Sequence, residues 1–116
     1  MSENKGTIEK YIDGFRYGDH EQVLSCLADD VEWEVPGAFH IVGRVAFDKE
    51  IENPAFTGPP TITTSRMTEE NDVVVTEGTV RTQRVSGEVL TLRFCDVFVM
   101  RGGKIHQLTS YLMEIK

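Results

Sequence analysis

Leu90-Thr91-Leu92-Arg93-Phe94-Cys95-Asp96-Val97-Phe98-Val99-Met100 is the stretch on which the reading of this chain turns. It is long, β-branched and aromatic, with Ser86-Gly87 before it and Gly102-Gly103 after it, which predicts a strand over 88–101 between two turns. Strand side chains alternate between faces, so Leu92, Phe94, Asp96, Phe98 and Met100 share one face. A charged, unpaired carboxyl among such neighbours costs several kcal/mol. Asp96 must therefore be hydrogen-bonded, ion-paired, or held protonated by a raised pKa. A group kept at such a cost is the first candidate for a site.

Outward from this strand the pattern stays β on both sides. Segments 61–70, 72–84 and 104–115 also read as strands, and Asn71-Asp72, Ser86-Gly87 and Gly102-Gly103 suit tight hairpin turns. The first half is different. Ile8, Tyr11, Ile12 and Phe15 form one apolar stripe, predicting a helix over 4–17 that Gly18 ends and after which Asp19 caps the next. Val23, Leu24 and Leu27 extend a second helix over 20–28, and Val31-Glu32-Trp33-Glu34-Val35 alternates as a half-buried strand that Pro36-Gly37 stops. Residues 37–44 read as loop or a short extended piece, and Val45 to Asn53 as a third helix closed by Pro54. The order predicts a single α+β domain over 1–116, with helices on one face of a curved antiparallel sheet. A bent sheet under helices leaves a concave space suited to a small molecule.

Hairpin arithmetic supplies Asp96 with neighbours. If Ser86-Gly87 is a two-residue turn, Glu77 lies across from Asp96 and Arg81 across from Leu92, on the same face. Two such carboxyls would share or retain a proton, with Arg81 opposing that effect. A three-residue turn would instead send Glu77 to the other face. Tyr11 brings a phenol whose hydroxyl needs a partner, and a carboxyl in the same pocket could supply one. His40, after Pro36-Gly37, is placed as a proton shuttle at the pocket mouth, whereas His20 is expected exposed at the start of the second helix.

Composition limits the alternatives. A net charge of −7 lacks the basic stripe that nucleic acid requires and fits anionic lipid poorly. No apolar run approaches a membrane span, and the start Met1-Ser2-Glu3-Asn4-Lys5-Gly6 has no signal core. The expected location is cytoplasmic, with Cys26 and Cys95 as reduced thiols. Histidines at 20, 40 and 106 and the two cysteines have no metal-ligand spacing, and no phosphate loop or nucleophile elbow is present. Neither metal nor cofactor is expected. The other face of 88–101, with Arg93, Cys95, Val97 and Val99, is partly apolar and predicts a homodimer through the open sheet face.

Tyr11-Ile12-Asp13-Gly14-Phe15, Gly18-Asp19, Ala28-Asp29-Asp30-Val31-Glu32-Trp33, Pro36, Gly43-Arg44, Cys95-Asp96-Val97-Phe98, Gly103-Lys104-Ile105 and Tyr111 together resemble the nuclear transport factor 2-like superfamily. Within it the chain is similar to SnoaL-like polyketide cyclases and ketosteroid isomerase-like proteins. The resemblance implies a cone-shaped antiparallel or mixed sheet wrapped around three N-terminal helices, a cystatin-like roll. It also implies that Tyr11 and a protonated Asp96 correspond to an oxyanion hole, an arrangement for which ketosteroid isomerase is the established example. The general-base position of those isomerases corresponds to Val35, which cannot take a proton, so Glu34, His40 or Glu77 would have to substitute. The Arg-x-Asp element of limonene epoxide hydrolase-like members is missing from Thr76-Glu77-Gly78-Thr79-Val80. Polyketide cyclase-like chemistry needs only one acid-base group at an activated carbon, which Asp96 could be.

The expected catalytic set is thus Asp96, Tyr11, His40 and Glu77. The expected substrate contacts are Phe15, Trp33, Val35, Phe39, Phe56, Arg81, Phe94, Phe98 and Leu112. The function implied is a cofactor-free lyase or isomerase acting on a small, mostly apolar carbonyl compound. A ligand-binding module without chemistry and a protein-interaction domain are the alternatives, because one scaffold supports all three.

Overall fold

The computed structural model describes residues 2–52 and 54–115. Helix α1 (Glu3–Tyr17) begins where Ser2 Oγ accepts from the Lys5 N–H at 3.0 Å and ends at Gly18, whose φ of 65° is the left-handed cap. Its stripe of Ile8, Tyr11 and Ile12 is buried. Gly14 allows α2 (His20–Ser25) to cross closely, since a β-carbon there would lie 2.6 Å from Val23 Cγ2. Asp19 caps α2 by accepting from Gln22 N–H.

The second helix is shorter than its sequence pattern. Ile105 N–H donates to Cys26 O at 2.8 Å, which draws Leu27 into a strand instead. Strand β1 (Leu27–Val35) therefore starts before Asp29-Asp30 and runs parallel to the last strand, with a register shift between Leu27 and Glu32. Tertiary pairing here outweighs a short helical pattern. The expected loop at 37–44 contains β2 (Phe39–Val42), antiparallel to β1. Helix α3 (Arg44–Ile51) follows, and the expected helix end at Asn53 lies outside the described residues.

Strands β3 (Thr61–Glu70), β4 (Val73–Gln83), β5 (Val89–Arg101) and β6 (Lys104–Glu114) form the expected meander. The six-stranded sheet has the order β2-β1-β6-β5-β4-β3 and is mixed, because β1 pairs with β6 in parallel. Asn71 and Asp72, with φ of 50° and 62°, make the two-residue β3–β4 turn. Curvature comes from a bulge in β3 between Thr64 and Arg66, and from Gly78 across from it. A β-carbon on Gly78 would meet Thr63 O at 2.1 Å and the Phe94 ring at 2.8 Å, so only glycine admits this bend.

The β4–β5 turn corrects the hairpin reading. Arg84 N–H donates to Glu88 O and Gly87 N–H to Arg84 O, both at 2.8 Å, leaving Val85-Ser86-Gly87 as a three-residue loop with Gly87 at φ 96°. Asp96 therefore faces Thr76, while Glu77 pairs with Cys95 and Arg81 with Thr91. One residue of slip turned both charged side chains to the outer face. Under the concave face the core is closed by Ile8, Val23, Leu27, Phe47, Val74, Phe98, Ile105 and Leu108, each at 1% exposure or less. Each such side chain contributes about 1.5–3 kcal/mol of burial. Among the described residues no helix is long and apolar enough to cross a membrane.

Candidate functional site

Asp96 points to the helix side of β5. It alternates in unbroken register with Phe94 and Phe98, and Phe98 touches Tyr11 of α1 edge to face, with ring centroids 5.4 Å apart. Its in-register partners on that face are Thr76 on β4 and Ser110 on β6. Both are buried, at 0% and 4% exposure, whereas Asp96 is only half-buried. Burial pushes the Asp96 carboxyl up to about 7, and the neighbouring Ser110 hydroxyl pulls in the opposite direction. Near neutral pH such a group exchanges its proton readily.

The surroundings are aromatic. Tyr11 contacts Phe15, Phe47 and Phe98, and Trp33 stacks on Phe47 at 4.5 Å and meets Phe39 edge-on at 5.2 Å. Burial and then the nearby Asp96 charge raise the Tyr11 phenol well above its ordinary value, so it stays protonated and able to donate. Trp33 Nε1–H donates to Ser110 Oγ at 3.0 Å. Thr76 Oγ1 is buried without a hydrogen-bond partner, directly across from Asp96. Ser110 and Thr76 escaped the sequence reading. Their one signal was a hydroxyl at an inward position between apolar residues: Leu108 and Leu112 around Ser110, Val74 and Gly78 around Thr76.

The fold assembles only part of the expected set. Tyr11, Phe15, Trp33, Phe39 and Phe98 join one ring cluster, and Val35 is buried at the end of the inward row of β1. Phe94 lies over Gly78, and Leu112, across from it, stays 46% exposed. Phe56 stands apart, bridged to Arg84, whose guanidinium sits 5.9 Å above its ring. Three expectations are overturned. Glu77 is on the outer face, paired to Arg66 Nη2 at 2.6 Å. Arg81 is exposed between Thr61 and Thr91. His40 lies on the outer side of β2, opposite Glu34 and 3.4 Å from Glu32, because Phe39 and Ile41 take the inward positions of that strand.

Rings fill most of the space between helices and sheet. Of the two concavities that stand out among the described residues, neither is lined by Asp96. The larger, about 650 Å³, runs along Arg66, Glu77, Arg93, Cys95, Tyr111 and Met113 of the outer face and is also lined by Gly78, Phe94 and Leu112. His20 is not free: its Nδ1 is 2.6 Å from Asp48 and its Nε2 2.8 Å from Glu52, joining α2 to α3. Among the described residues no group of three His, Cys, Asp or Glu side chains is arranged to hold a metal ion.

This architecture recurs in solved structures. An NTF2-like protein of unknown function from Burkholderia pseudomallei K96243 is 24% identical, with a TM-score of 0.87 over 97% of this chain and 92% of that one. TerC, co-crystallized with polyporic acid, is 26% identical, with a TM-score of 0.84 over 94% of this chain and 90% of its own. An LEH-like epoxide hydrolase of M. tuberculosis is 20% identical, with a TM-score of 0.84 over 96% and 83%. No curated protein matches the sequence. The family model of the SnoaL-like domain matches residues 8–108, and the chain therefore belongs to the SnoaL-like family.

Proposed function

We propose that this chain is a cofactor-free lyase or isomerase of the SnoaL-like type, acting on a small, mostly apolar carbonyl compound. The observation that supports it most is the Asp96 carboxyl, set among aromatic rings on the concave face, with its pKa pushed up to about 7. In this reading the Asp96 carboxylate takes a proton from a carbon next to the carbonyl. The C–H electrons move into the carbonyl, and the Tyr11 hydroxyl hydrogen-bonds the resulting enolate oxygen. Asp96, now a carboxylic acid, returns the proton to a different atom, so the enzyme ends as it began. Val35 cannot serve as a second base, so the substrate C–H must already be acidic. Phe15, Trp33, Phe39 and Leu112 would border the bound molecule.

One observation favours a second reading, a ligand-binding module without chemistry. The interior is occupied by the protein's own rings, and a ligand would have to displace some of them. Exchange in D2O separates the two. Small aromatic ketones with a C–H next to the carbonyl, first screened by thermal shift, would be followed by NMR for deuterium uptake at carbon. The enzyme reading expects uptake in the wild type and its loss in Asp96→Asn; binding with no uptake in either protein would leave only the module.

We also propose a homodimer through the outer sheet face, where Tyr111 and Met113 are 54% and 71% exposed beside half-buried Cys95, Val97 and Val99. The two free thiols, Cys26 and Cys95, suit a cytoplasmic location.

A further inference from the structure

We infer that Ser110, held by the Trp33 indole, is a positioning residue that aims its hydroxyl hydrogen at Asp96 and makes this carboxyl the proton acceptor of the site. The argument starts from donor inventory. An indole N–H only donates, so the 3.0 Å contact from Trp33 Nε1 makes Ser110 Oγ the acceptor there. Ser110 has a single hydrogen left to give, and Asp96 is its in-register neighbour on β5. Were Asp96 instead to donate to Ser110, the serine hydrogen would lose its acceptor at a position only 4% exposed. The chain Trp33–Ser110–Asp96 thus has a preferred direction, and that direction stabilises the carboxylate. Its other end is the indole that stacks on Phe47 and meets Phe15 and Phe39, so the ring bordering the proposed ligand position also senses the charge on Asp96.

The groups facing Asp96 leave the coupling easy to read. Tyr11 faces it from α1 with Cys26 behind, and both stay neutral because burial raises their pKa values. Thr76 of β4, Phe47 of α3 and Trp33 of β1 bring no titrating charge. His40 and Glu32 lie on the outer side of β2 and β1, so any effect of theirs on Trp33 would persist without Asp96.

The inference rests on Asp96 being the acid–base group proposed above, but its test needs no substrate. Trp33 is the single tryptophan, so intrinsic fluorescence reports on it alone. A fluorescence step is expected at the pH where Asp96 titrates, as read independently by carboxyl 13C NMR, and it should vanish in Asp96→Asn. In Ser110→Ala the NMR midpoint should rise by about one pH unit or more and the fluorescence step should disappear; Ser110→Thr should restore both. Should Ser110→Ala fail to fold, Trp33→Phe breaks the same bond from the other side and should also raise the midpoint. An Asp96 midpoint unchanged by these variants, or a fluorescence step that survives Asp96→Asn, would overturn the inference. An intact relay in a protein that neither binds nor exchanges any ketone would sink the functional reading and leave the relay standing.

Discussion

At the scale of the residue, Asp96 has a cost in stability that the fold does not fully offset. The Ser110 hydroxyl beside it lowers its pKa, yet that still stands at about 7, above the ordinary carboxylate range. The sign follows from proton uptake. Between the unfolded and folded pKa values the folded state binds more protons, so stability falls as pH rises through that interval and levels off above it. Asp96→Asn, which keeps the shape and removes the charge, is expected to match the wild type near pH 4 and to exceed it at pH 8 by roughly 2 kcal/mol, allowing for half-burial. Urea unfolding at the two pH values checks this. A variant less stable than wild type at pH 8 would mark Asp96 as a structural anchor. The unpartnered Thr76 hydroxyl belongs to the same economy: a polar group left unpaired beside the acid and tolerated in an otherwise apolar wall.

At the scale of the element, α3 is the piece that brings Phe47 against Trp33 and against the rings of α1, and its link to α2 is ionic. His20 at the first turn of α2 has one ring nitrogen on Asp48 and the other on Glu52, an arrangement that needs both nitrogens protonated. Hydrogen bonds to these two carboxylates raise its pKa. This stabilisation is therefore complete below the unfolded histidine value and is lost as pH rises through the folded one. The groups are well exposed, so the expected loss is about 1 kcal/mol or less. Thermal melts from pH 6 to 9 should show a larger decline in the wild type than in His20→Gln. The interval overlaps the upper end of the one set by Asp96, so the difference between the wild type and His20→Gln, not the wild-type slope alone, reports the clamp. A decline of equal size in His20→Gln would show that the clamp adds nothing.

At the scale of the whole molecule, a single sheet has two faces and only one layer of helices to cover them. The concave face is sealed by α1, α3 and their rings, while the outer face keeps Tyr111, Met113, Val97 and Val99 at least partly in contact with water. A second copy would bury that surface, and the 650 Å³ groove along Arg93 and Cys95 would then lie within the interface. The proposed dimer predicts that sedimentation at micromolar concentration gives twice the mass of 13.1 kDa. Tyr111→Glu, a buried charge in the dimer and an exposed one in the monomer, should give the monomer with its fold intact. A wild-type protein that sediments as a monomer would refute the dimer.

The sequence by itself determined the class of fold, because periodicity and turn residues are local properties. The stripe on α1, the Gly18–Asp19 break and the Asn71-Asp72 turn each prescribe their own geometry, and the alternation around Asp96 already set its side chain among Phe94 and Phe98. Only the tertiary structure decided what stands beside it. A three-residue loop at Val85-Ser86-Gly87 shifted the register by one, sent Glu77 and Arg81 outward, and put Thr76 in the place expected of a second acid. The parallel pairing of β1 with β6 brought Trp33 to Ser110, residues 77 positions apart in the chain. Side-chain facing has a period of two, so one residue in a turn reverses a whole strand, and contacts between distant strands leave no local signature to read.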